Sequence, residues 1–267
     1  AAAIASTFRQ RDVAVDFFEI LGRPKHEANV ELYGRFSEES ARYDLLVRVD
    51  ADMELVETKI FSAAHVVFQQ HKAVDHLIIG VDDFFSGKKI DGLHLWRGGV
   101  TWTEAPPDLF SDLGATTAVR KVKWSPPNRT IVLHAHGAGL REAARYGAHR
   151  ALKFASSGNM ARGRDLSQFV QFAEDTQEPR RLLAVAAVEA SLIDYEFGRR
   201  CIDARHLLRE EDIANLEARV QQPDSLIQAT LNLIAELPIK SKAMPRSWWS
   251  VLHRFALRPA DSPSGHS

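Results

Sequence analysis

A single cysteine, Cys201, stands in 267 residues, so no disulfide can close within this chain. Such a chain relies on its core rather than on covalent staples, and it suits a reducing compartment. Neither sign of charge prevails: 34 Lys and Arg face 35 Asp and Glu, a formal net charge of −1. No global field draws the protein to nucleic acid, and any basic surface must be local. The chain has no apolar run of about 18 residues, so no transmembrane helix is expected, and no secretory leader pattern opens it. It also lacks an internal repeat. What it does have is 45% hydrophobic residues, enough for one sizeable core, or a core with an appendage.

Residues 1–10, AAAIASTFRQ, read as the end of a helix. DVAVDFFEILG (12–22) is rich in Val, Phe and Ile and stops at Gly22, which predicts a strand and a turn. HEANVELYGRFSEESARY carries helical spacing at Ala28, Leu32 and Phe36. YDLLVRVDAD is short and β-rich, a buried strand by pattern. Alternation of helix and strand predicts an α/β domain with a largely parallel sheet. LVETKIFSAAHVVFQQHK reads as helix, the glycine-broken stretch from Val74 to Trp102 as hairpins, RTIVLHAHG as strand and LREAARYGAHRALKFA as helix. From about residue 156 the texture changes: ASSGNMARGRDLS predicts a linker. Helical segments then run to Leu237, punctuated by Pro179, Pro223 and Pro238. The expected division is 1–155 and 156–267.

The apolar run LLVRVDAD ends in two aspartates. Continued as a strand, it turns Asp50 and Asp52 to one face, at the carboxyl edge where open α/β sheets bind ligands. Two carboxylates there repel unless a cation lies between them, and a hard divalent ion shared with a diphosphate does that. The same spacing also fits a solvated turn whose aspartates cap the next helix.

This region resembles the nucleotide-sugar-binding domain of family 2-like glycosyltransferases with the GT-A fold. The resemblance rests on order and spacing over residues 1–60: STFRQ, VDFFEILG, GRPKHEANVELYGRF, then YDLLVRVDAD with Asp50-Ala51-Asp52 as the Asp-X-Asp motif. It implies a Rossmann-like, mostly parallel sheet flanked by helices, with the helical segment after residue 156 as an addition. It also implies a nucleotide-sugar donor, Mn²⁺ or Mg²⁺ held by Asp50 and Asp52, and a glycan or lipid-linked acceptor. The family's opening strand, with its Pro-Thr-Tyr-like end, has no counterpart, so a truncated N-terminus is expected.

Other residues follow from that frame. Arg23, Lys25 and Asn29 lie at or near a predicted helix start, where N–H groups and the dipole favour an anion such as the donor phosphates. A solvated basic loop reads the same. In VLHAHG, His134 and His136 share a face by strand period. The resemblance implies that one completes the metal site, and His134 is preferred. An inverting transfer needs a base for the acceptor proton. Glu104, Asp108, Asp112, Asp82 and Asp83 are candidates, and Asp112 is chosen. Trp96 and Trp102 flank Gly98-Gly99 and fit either sugar stacking or core packing. The tail KSKAMPRSWWSVLHRF joins four cations to Trp248 and Trp249, which suits peripheral contact with an anionic membrane on its cytoplasmic face, or docking onto its own domain. Two other functions share the Asp-X-Asp feature: a haloacid dehalogenase-type phosphatase, although Met53 and Glu54 depart from its pattern, and an inactive glycosyltransferase-like scaffold.

Overall fold

The computed structural model describes residues 2–103, 114–115, 120–157, 160–194 and 210–237. They form two compact units, the first running to Glu142 and the second starting at Ala143, inside one helix. That division falls earlier in the chain than the change of composition near residue 156.

In the first unit the elements are α1 (Ala2–Phe8), α2 (Lys25–Glu39), a 3-10 turn (Ser40–Arg42), β1 (Leu45–Arg48), β2 (Met53–Leu55), α3 (Ile60–Gln70), β3 (His76–Asp83) and β4 (Lys88–Arg97). β5 (Trp102–Thr103), β6 (Gly114–Ala115), β7 (Lys121–Trp124) and β8 (Val132–His134) follow, and α4 (Leu140–Ser157) begins. The main sheet runs β1-β4-β3-β8-β2, with β7 also paired to β3, while β5 and β6 pair with each other. The α/β class agrees with the sequence reading. The sheet, however, is mixed rather than mostly parallel: β1–β4, β3–β4 and β2–β8 are antiparallel, and β3–β7 and β3–β8 parallel. The turn at 84–87 is too short for a crossover, so β3 and β4 must run antiparallel.

Period-2 alternation gives the sheet two apolar faces. Leu93 and Leu95 of β4 join Leu77, Ile79 and Val81 of β3 in a core with Ile60, Phe61, Ala64 and Phe68 of α3. Leu46 and Trp96 point the other way, into a cluster with Tyr33 and Phe36 of α2. α1 is tied to the sheet through Ser6, whose Oγ accepts from the Leu55 N–H at 3.0 Å. Gln10 caps α3 from a distance: its Oε1 accepts from the Ile60 and Phe61 N–H groups at 2.9 and 3.4 Å. The run 12–22 corrects the strand reading. It carries no strand pairing, although Val13 and Val15 still lean on the core. β-propensity yields a strand only where a ladder partner satisfies the backbone.

The second unit is helical among its described residues: the rest of α4, then α5 (Met160–Thr176), α6 (Pro179–Asp194), α7 (Glu210–Val220) and α8 (Pro223–Glu236). The expected linker is largely helix, since α4 continues to Ser157 and α5 starts at Met160. Pro179 and Pro223 open their helices, where proline's missing N–H costs nothing. Leu182 to Val188 of α6 are all buried, as a central helix requires. Gly147 in α4 lies against the Ala184 carbonyl of α6, where a Cβ would collide. Arg219 clamps Glu189 with two 2.8 Å bonds.

Candidate functional site

β1 stops at Arg48, and the Met53 N–H donates to the Asp50 carbonyl at 2.9 Å. Residues 50–53 therefore form a tight turn that starts β2. Strand period does not govern the two aspartates, and they take different partners. Asp50 Oδ1 lies 3.4 Å from Arg48 Nε, and the same guanidinium donates through Nη1 to the Tyr33 hydroxyl at 3.0 Å. Asp52 goes to His134: its Oδ2 lies 3.3 Å from Nε2. The Asp52 carbonyl also accepts from the Ala135 N–H at 2.8 Å, which fixes the turn to the end of β8.

His134 sits between Met53 of β2 and Asp83 of β3 in the ladder. Its Nδ1 is 2.7 Å from Asp83 Oδ1. An ionised carboxylate only accepts, so Nδ1 carries the proton. Asp83 Oδ2 accepts from the Ser86 N–H at 2.8 Å and the Ser86 Oγ–H at 2.5 Å. The Asp83 side chain is wholly buried, that of His134 14% exposed, and that of Asp52 46% exposed. Exposure falls from Asp52 through His134 to Asp83, and Ser86, partly buried in the turn, closes the row. Burial opposes charge on His134, but the hydrogen bonds and fields of Asp52 and Asp83 overcome it and raise its pKa to about 10. Burial likewise opposes the Asp83 carboxylate, and the bonds from His134 and Ser86 hold its pKa below the ordinary value.

Of the expected metal ligands, Asp52 and His134 come together, while Asp50 turns to Arg48. Among the described residues no three His, Cys, Asp or Glu side chains converge as a metal set. His136 does not share His134's face. β8 ends at His134, Ala135 takes a left-handed φ of 60°, and exposed His136 meets the Phe84 ring edge-on. Of the other residues assigned to the donor, Arg23 precedes α2, and Lys25 and Asn29 belong to it. Arg23 is half exposed and ion-paired with Glu27 and Glu31. Asn29 is buried. Lys25 opens the helix, and its side chain lies outside the described residues. Asp112, like Glu104 and Asp108, lies outside them too, as does the basic tail. Asp82 pairs with Lys89 at 2.9 Å.

Trp96 is a core residue. Its ring stacks on His76 at 4.6 Å and meets Tyr33 edge-on, and Trp102 stacks on Tyr33 at 4.8 Å. The Gly98-Gly99 pair serves that packing: Gly98 lies against the Tyr43 carbonyl where a Cβ would collide, and Gly99 turns with φ 86°. Sequence reasoning weighed Asp83 only as a base and overlooked Ser86. Asp83 and Ser86 bracket a hairpin turn, which signalled a turn cap but not the histidine behind it.

No family model, curated protein or solved structure matches the chain. Among the described residues no helix is long and apolar enough to cross a membrane.

Proposed function

We propose that the first unit is the donor-binding and catalytic part of a metal-dependent glycosyltransferase of the GT-A type. The observation that carries this reading is the 3.3 Å approach of Asp52 Oδ2 to His134 Nε2 at the end of β8. Adjacent ligands of an octahedral ion with bonds of about 2.1 Å stand about 3 Å apart, so in this reading Mn²⁺ or Mg²⁺ enters by displacing the Nε2 proton that His134 otherwise shares with Asp52. Mg²⁺-type ions take one or two protein carboxylates and complete their shell with substrate phosphate and water, which suits a half-exposed Asp52. Bound there, the ion supplies charge neutralisation for the diphosphate leaving group.

The chain's own residues do the rest in this reading. Asp52 and His134 hold the ion. Asp50, oriented by Arg48, is assigned to the donor's ribose and phosphate side, and Arg23, before α2, with Lys25 and Asn29 of α2 to the nucleotide. The bond from the anomeric carbon to the diphosphate breaks, and one to the acceptor hydroxyl forms. The hydroxyl proton passes to a carboxylate, for which Asp112 is the candidate. The acceptor is a glycan or lipid-linked saccharide, taken at the cytoplasmic face of a membrane with the basic, tryptophan-bearing tail against it.

Calorimetric titration with nucleoside diphosphates and nucleotide sugars, in Mn²⁺ and in chelator, tests the proposal beside Asp52→Ala. The expected result is binding that needs metal and is lost in the variant. Absence of binding under every metal condition sinks it.

A further inference from the structure

We propose that the sheet face carrying Arg48, His94, His76 and Lys121 is a binding site for a phosphate-type oxyanion. The ladder register puts the four residues together. Leu46 and Trp96 share one face, and strand period adds Arg48 to it. Arg48 lies opposite His94 in the β1–β4 ladder. His76 lies opposite Trp96 of β4 on one side and Lys121 of β7 on the other. One face thus sets a basic group opposite a basic group twice, which costs stability unless something negative lies between them. A charged edge that wards off a further strand accounts for Lys121 and Lys123 on β7. It does not account for the two imidazoles, which belong to the inner strands β3 and β4. Lys123 has Asp91 and Lys89 has Asp82, whereas exposed Lys121 has no carboxylate partner among the described residues. The Arg48 guanidinium is oriented by Asp50 and the Tyr33 hydroxyl.

The imidazoles form a pair whose protons an anion would arrange. His76 Nε2 is 2.9 Å from His94 Nδ1, so one ring donates to the other. Both rings stack on Trp96, with centroids 4.6 and 5.5 Å away, which fixes their direction. His76 is buried and His94 half-buried, so His94 meets the ligand and His76 backs it. An oxyanion beside His94 favours the arrangement in which His76 donates, because the His94 proton then sits on Nε2, away from His76. It also favours a third proton on the pair, taken from solvent. Without the anion that proton is opposed at His76 by burial and by His94, Lys121 and Arg48. Binding and proton uptake are therefore linked. The site does not rest on the reading of Asp52 and His134.

Calorimetry of the full chain with sulfate tests this at constant ionic strength, in chelator so that divalent metal plays no part. Sulfate has the shape of phosphate and does not titrate near neutral pH, so any proton taken up belongs to the protein. Two buffers of different ionisation enthalpy count that proton. Saturable binding with proton uptake is expected. His94→Gln should weaken it about 10-fold or more and abolish the uptake, and Lys121→Met should weaken it less and keep the uptake. No saturable binding, binding without uptake, or equal affinity in wild type and both variants overturns the inference. If His94→Gln does not fold, ¹H–¹⁵N imidazole spectra of the wild type decide: saturating sulfate should move the His94 and His76 ring signals, and unmoved signals overturn it. Inorganic phosphate and uridine diphosphate, competed against sulfate, then name the source. Tighter phosphate assigns the site to a free phosphate, and tighter diphosphate to the phosphates of a nucleotide.

Discussion

Strand β3 begins at His76 and ends at Asp83, and the imidazoles at its two ends are treated in opposite ways. At the first end His76 lies over Trp96, with its Nε2 2.9 Å from His94 Nδ1. Burial, then His94, Lys121 and Arg48, all disfavour its charge and lower its pKa to about 3. At the other end burial acts on His134 in the same sense, yet Asp52 and Asp83 reverse it and raise the pKa to about 10. Burial alone therefore does not decide whether a histidine in this sheet is neutral or cationic. The sign of its neighbours does. The neutral histidine belongs to a packed aromatic face, and the cationic one to an edge that carries an exposed carboxylate.

The largest way to break the contrast is to remove the cation from the acidic end. His134→Leu leaves the Asp83 carboxylate buried without its partner, and urea unfolding should show a loss of about 3–5 kcal/mol. Adding Asp83→Asn should recover part of it, because the stranded charge is then gone. A variant pair that simply adds its two losses contradicts the coupling.

Acid should distinguish the two ends next. The folded pKa of His76 lies below its unfolded value of about 6.5, so the unfolded chain binds the extra proton as pH falls. The stability tied to a neutral His76 is present above pH 6.5 and is lost as pH drops toward about 3. At 1.36 kcal/mol per unit, going from pH 7 to 5 should cost about 2 kcal/mol. Comparison with His76→Phe checks it: the variant should lack that part of the acid dependence. An unchanged slope would place the proton uptake elsewhere.

The smallest effect lies at the residue that follows β8. Ala135 is held at φ 60° by its bond to the Asp52 carbonyl, a conformation that glycine adopts without the Cβ penalty. Ala135→Gly should raise the urea midpoint by the equivalent of up to about 1 kcal/mol, and a lowered midpoint would show that Ala135 packing outweighs its strain.

Helices were legible in the sequence because each carries its own signal. Apolar spacing marked α2, α3, α4, the second half of α5 and α6 to α8, with Pro179 and Pro223 as punctuation between them. The hairpin of β3 and β4 was legible from its apolar run and glycines. Residues 12–22 were misread because strand propensity is local and strand pairing is not. The Asp50 and Asp52 pair was misplaced for a related reason: period 2 holds only while a strand continues, and β1 ends at Arg48. His134 was favoured over His136 as a ligand; the structure brings His134 to Asp52 and turns His136 away at Ala135. Asp83 and Ser86 were obscured because a turn cap and a histidine support look alike in one dimension.

By itself, then, the sequence determined the α/β class and the helices of the described part of the second half. These follow from periodicity, propensity and chemistry carried within a few residues. The tertiary structure decided the mixed order of the strands, which aspartate meets His134 and which meets Arg48, and which histidine is charged. Those depend on ladder register and on what burial brings alongside, and both join residues far apart in the chain.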